Sequence, residues 1–113
     1  MTTTVIKGGT VVTAADTVRA DVGIRNGKIV SVAEKIEGGK KTIDASGLLV
    51  MPGGIDSHVH LAQPAFGGPA MADGFESGTR SAIAGGNTTV IPFALQPRGA
   101  SLRASVTDYH KEA

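Results

Sequence analysis

The sequence contains no cysteine. That removes a disulfide framework, a thiolate metal site and a cysteine nucleophile in one step. An excess of charge of one sign is missing as well. The formal net charge is +1, so the electrostatics point neither to nucleic acid nor to an anionic membrane. No window approaches the roughly 18–20 apolar residues of a membrane span. The opening MTTTVIKGGT lacks the apolar centre of a secretory signal, so a cytoplasmic setting is expected. An NTT sequon begins at Asn87 and, without such a signal, reads as chance. Five Gly-Gly pairs occur, none in a P-loop or G-x-G-x-x-G frame, so phosphate binding is not indicated.

What is present suits a globular chain. The 113 residues are 41% hydrophobic and 19% charged, enough for one ordinary domain with a modest core. The 16 glycines fall at intervals that suit the turns between short elements. In residues 1–47, TTVIKGG and TVVTA read as two short strands rich in β-branched residues. DVGIRNGKIVSVA reads as a hairpin, because Asn26-Gly27 is the favoured pair for a two-residue type I′ turn. KKTIDASG reads as a short strand and a turn.

The pattern changes at Leu48. LLVM is a continuous apolar run, as expected of a strand buried on both faces of a parallel sheet. A Gly/Pro/Ala-rich loop covers 62–72. A helix is expected next, with Asp73 as N-cap, Glu76 completing a capping box and Gly85-Gly86 as the stop. NTTVIPFAL reads as a second buried strand. Ser101 opens a last helix with an apolar stripe of Leu102, Val106 and Tyr109. Strand-helix alternation argues for a parallel α/β sheet or barrel. Two such units cannot close an eight-stranded barrel of roughly 250 residues, so the chain is expected to be an N-terminal piece of something larger.

The stretch LLVMPGGIDSHVHLAQP carries the chemistry. Alternate residues of a strand share a face, so Asp56, His58 and His60 project together if the strand extends that far. Two imidazoles so spaced suit one metal ion, and Asp56 could hold one of them in a fixed tautomer. The other reading is a chance H-x-H or neutral core histidines. Ser57 has the wrong parity to join the pair, and His110 is expected on a solvated helix face.

PGGIDSHVH, Pro52 to His60, resembles the P-G-x-x-D-x-H-x-H signature of the amidohydrolase superfamily. MADGFESGTRSAIAGGNTTVIPFALQ, Met71 to Gln96, and FGG, Phe66 to Gly68, resemble the D-hydantoinase and dihydropyrimidinase family. VIKGGTVVTAADTVRADVGIRNGKIVSVA resembles the β-sandwich segment that precedes the barrel there. The resemblance implies an α/β fold class: the start of a (β/α)8 barrel at 48–113, preceded by part of a composite β-sandwich at 1–47. It implies hydrolysis of a cyclic amide, a dihydropyrimidine or hydantoin ring, by a homotetrameric parent enzyme. It also implies two divalent ions, zinc in the usual case, with a carboxylated lysine that would lie beyond Ala113. Only His58 and His60 can be carried over as metal ligands, so the chain alone is expected to be inactive.

Ala62 stands where dihydroorotases typically carry Arg and allantoinases Asn, which argues against both. The common pattern after the second histidine is a polar residue, Met and Pro; here it is Ala62, Gln63 and Pro64. That places the departure in the expected substrate loop, to which Gln63 and Phe66 are assigned. A second acid often follows Asp73, where this chain has Gly74. The alternatives are another superfamily enzyme, a deaminase or deacetylase, or a non-enzymatic β-rich module with an incidental H-x-H.

Overall fold

The computed structural model describes residues 3–63 and 71–113. Two units divide the chain after Pro52. The division falls five residues later than the 47/48 boundary expected above, and the strand pairing explains why.

In the first unit, β1 (Thr4–Val12), β2 (Thr17–Arg25), β3 (Lys28–Ala33), β4 (Lys41–Asp44) and β5 (Leu49–Val50) form one sheet. The order is β3-β2-β1-β4, with β5 also on β1. β2 and β3 are antiparallel neighbours, and Asn26 (φ 50°) and Gly27 (φ 72°) make the turn between them as a type I′ pair requires. TTVIKGG and TVVTA are one strand, not two. Lys7 and Gly8 together oppose Asp21 where the register with β2 shifts between Ile6 and Gly9, which is a β-bulge. Gly8 takes φ 73° there, a value glycine reaches without a side-chain penalty.

The bulge frees the Gly8 N–H, which donates to Asp21 Oδ1 at 2.9 Å, while Ile36 N–H donates to Asp21 Oδ2 at 3.0 Å. The buried carboxylate therefore has both oxygens occupied. The Ile36 N–H first, then that of Gly8, holds its pKa below the ordinary carboxylate value. Val11, Ala20 and Val22 form the core, with Ile6, Ile24 and Val50 against it, and Val5 is fully buried.

The LLVM run is the clearest departure from expectation. Leu49 and Val50 pair in parallel with Thr10 and Val11 of β1, so they belong to this sheet and not to a barrel strand. Leu48, Leu49 and Met51 are largely exposed. Composition cannot choose between two sheets for an apolar run; the unpaired edge of β1 does.

The second unit is a parallel pair. β6 (Gly54–Val59) and β7 (Asn87–Pro92) are joined through α1 (Phe75–Ala84), and α2 (Leu102–Glu112) follows. Gly53 and Gly54 allow the close start of this pair. A Cβ at Gly53 would overlap Thr88, its Cβ included, so no side-chain rotation relieves the contact. α1 starts one residue later than expected, with Gly74 at the N-cap and no side-chain cap. That shift moves Glu76 out of capping-box position, and it faces Arg80 at 3.5 Å instead. Gly85 and Gly86 end the helix as expected, Gly86 at φ 90°. Ser101 is the N-cap of α2, again without a side-chain bond. Of the α2 stripe, Leu102 and Val106 are exposed, and Tyr109 is the half-buried anchor.

Candidate metal centre

Asp56 and His58 lie on β6, and His60 lies one residue past its end. The strand is too short to hold all three in strict alternation, yet the two imidazoles still meet. Their ring centroids are 5.5 Å apart. Both residues are exposed, so each ring keeps an open side. The register sets Val59 beside Pro92, which brings the next residue of each strand together. Phe93 accordingly packs edge-on to His58 at 4.6 Å and stacks on His60 at 5.1 Å. The sequence reading missed Phe93. The available signal was its place at the C-terminal end of a parallel strand, where sites gather.

Asp56 does not meet an imidazole. Its Oδ1 accepts the backbone N–H of His58 at 3.1 Å, which stiffens the strand end. Among the described residues the imidazole with a side-chain partner is His60, and the partner is Gln63. His60 Nδ1 lies 2.8 Å from Gln63 Oε1, and Gln63 Nε2 donates to the Phe93 carbonyl at 3.0 Å. Gln63 is only 6% exposed, so it turns inward toward the histidines and not outward as a loop contact. Phe66, assigned to the same loop, lies outside the described residues.

The residues that follow the histidines are held on several sides. Leu61 is buried, and a Cβ at Gly78 of α1 would run into its side chain. The Leu61 carbonyl accepts from the Tyr109 hydroxyl at 2.6 Å, and Ala62 N–H donates to the Asp73 carbonyl at 2.9 Å. Tyr109 stacks obliquely on Phe75 at 5.1 Å, and burial raises its pKa. Ala62 takes φ 48°, the left-handed region, and so reverses the chain and brings Gln63 back to His60. His110 is exposed, as expected.

The donor set fits a borderline divalent ion: two neutral-capable imidazole nitrogens and no thiolate. Among the described residues no group of three or more His, Asp or Glu side chains converges, so the two imidazoles do not form a closed site there.

Comparison with known proteins decides the family. The chain is 45% identical to D-hydantoinase of Streptomyces coelicolor over 97% of its own length. The chain belongs to the D-hydantoinase and dihydropyrimidinase family. The crystal structure of dihydropyrimidinase from Brevibacillus agri superposes over 100% of this chain with a TM-score of 0.91 and 41% identity. An allantoinase of Escherichia coli is 39% identical over 90% of the chain. The chain spans 25%, 24% and 22% of the lengths of these three proteins, about a quarter of each. It matches the N-terminal part of hydantoinase structures. No family model matches it. Members of this family are generally metal-dependent amidohydrolases.

Proposed function

We propose that this chain supplies one histidine pair of a metal-dependent hydrolase that opens a cyclic amide, a dihydropyrimidine or hydantoin ring. The observation that carries the reading is the pair itself. His58 and His60 stand side by side with centroids 5.5 Å apart, at the C-terminal end of a parallel strand. That is where α/β folds build their active sites. Bound there, a divalent ion, zinc by family resemblance, supplies Lewis acidity toward an amide carbonyl and a nucleophile at neutral pH.

The chain's own residues would do the following. His58 and His60 ligate. Phe93 covers one side of both rings, limits their rotation and keeps water from that side. Asp56 fixes the strand end that carries His58. Two ligands fall short of the three protein ligands of a catalytic zinc site, so the chain alone is not expected to turn over substrate. The remaining parts of the reading come from the family: a second ion, a carboxylated lysine, a (β/α)8 barrel begun within 48–113 with β6 and not Leu49–Val50 as its first strand, a composite sandwich containing 1–47, a homotetramer and a cytoplasmic location. Ala62 disfavours an allantoinase specificity, because a methyl group cannot make the polar contact expected of Asn.

Zinc uptake by wild type and by a His58→Ala, His60→Ala double variant tests the site. Loss of uptake in the variant is expected, and equal uptake would sink the metal reading. Ring opening of dihydrouracil or hydantoin by the zinc-loaded 113-residue chain alone would overturn the claim that its site is incomplete.

A further inference from the structure

Gln63 is a neutral amide in one of the two most buried positions among the described residues of the second unit, and both ends of that amide are used. A buried amide is tolerated only when it is hydrogen-bonded, so the two partners dictate its orientation. The Phe93 carbonyl can only accept, so the amide nitrogen must face it. The amide oxygen is then the atom that faces His60, and an oxygen there can only accept. His60 must therefore carry its hydrogen on Nδ1, and the lone pair of the neutral ring sits on Nε2.

The backbone supports this geometry independently. The left-handed Ala62 turns the chain back. The Ala62 N–H and the Leu61 carbonyl are tied to Asp73 and to Tyr109. Phe93 then contributes twice, through its ring on His60 and its carbonyl on Gln63.

We propose that Gln63 is a positioning residue: it locks His60 as the Nδ1–H tautomer in one rotation, so that Nε2 is the atom offered to a metal. The second half of this statement rests on the metal reading above; the first does not. His58 has no such partner among the described residues, so the two ligands differ in how firmly they are set.

The test uses protein labelled with 15N at histidine only, which leaves three residues to resolve: His58, His60 and His110. Spectra are taken metal-free at about pH 8.5, above the ordinary imidazole range. Wild type is expected to show His60 as Nδ1–H. Gln63→Met matches the length but has no donor and only a weak acceptor, so His60 should move toward Nε2–H. Gln63→Glu keeps the acceptor toward His60, though not the donor to the Phe93 carbonyl, and should keep Nδ1–H. Zinc affinity is expected to fall about 10–100-fold in Gln63→Met and much less in Gln63→Glu. Nε2–H in wild type, or the same tautomer in wild type and Gln63→Met, would overturn the proposal. The wild-type spectrum decides even if a variant fails to fold. Wild type that shows Nδ1–H and takes up no zinc would instead defeat the metal reading while leaving the tautomer lock in place.

Discussion

The two units bury their residues in opposite ways. The first encloses Val5, Val11, Ala20, Val22, Ala45 and a fully satisfied Asp21 within a five-stranded sheet. In the second only Leu61 and Gln63 are buried among the described residues, and Ile55, Ile83 and Ile91 are more than half exposed. Part of the reason is pairing. In the first, mixed sheet β1, β2 and β3 close antiparallel ladders between neighbouring segments, so a core can form early along the chain. A parallel pair needs a crossover for each added strand and cover on both faces. The relatives it matches are about four times as long. The unit that carries the histidine pair is thus the one whose own packing does least, and its order is concentrated in the few residues around the histidines.

That contrast can be broken from either side. The largest effect is expected from Val5→Asp, which places an unpaired charge at a fully buried position. A loss of about 4 kcal/mol or more is expected, confined to the first sheet, as hydrogen exchange would show. Uniform loss of protection in both units would mean that the second depends on the first for stability. Next is Gly53→Ala, where the new methyl overlaps Thr88. About 1–3 kcal/mol should be lost from β6 and β7, read as faster amide exchange in those strands only. A change near zero would mean that the strands separate at little cost.

Ala62→Gly should act in the other direction. It relieves a left-handed alanine and is expected to stabilise the second unit by about 1 kcal/mol in denaturant titration. If it destabilises instead, the turn is held by its neighbours and not limited by its own strain. The smallest effect at neutral pH belongs to Asp21. Its folded pKa lies below the ordinary carboxylate value, so its contribution is fully present above the unfolded value and is lost as pH falls through the folded one. Wild type and Asp21→Asn should therefore differ at pH 7, and the difference should shrink below about pH 4. A pH-independent difference would show that the two hydrogen bonds matter through geometry and not charge.

Much of this was legible in the residues. The Asn26-Gly27 hairpin, the helix stop at Gly85-Gly86, the strand-helix-strand order of the second unit (though not its first strand, which is Gly54–Val59 and not LLVM) and the nearness of the His58 and His60 rings follow from local rules. Strand parity, turn chemistry and glycine conformations act over a few residues and leave a pattern in the sequence. The family signature strengthened the histidine reading without adding geometry.

Tertiary structure decided the rest. LLVM went to β1 because an edge was open there, and apolar character alone does not name a partner. Asp56 turned to a backbone N–H, while Gln63, read as a loop residue, became the partner of His60. Phe93 came to the histidines only through the register of β7 against β6, across 33 residues of chain. These outcomes depend on which unpaired donors, acceptors and surfaces lie within reach after folding. A sequence determines what each residue can bond; distance and burial determine which of those bonds it makes.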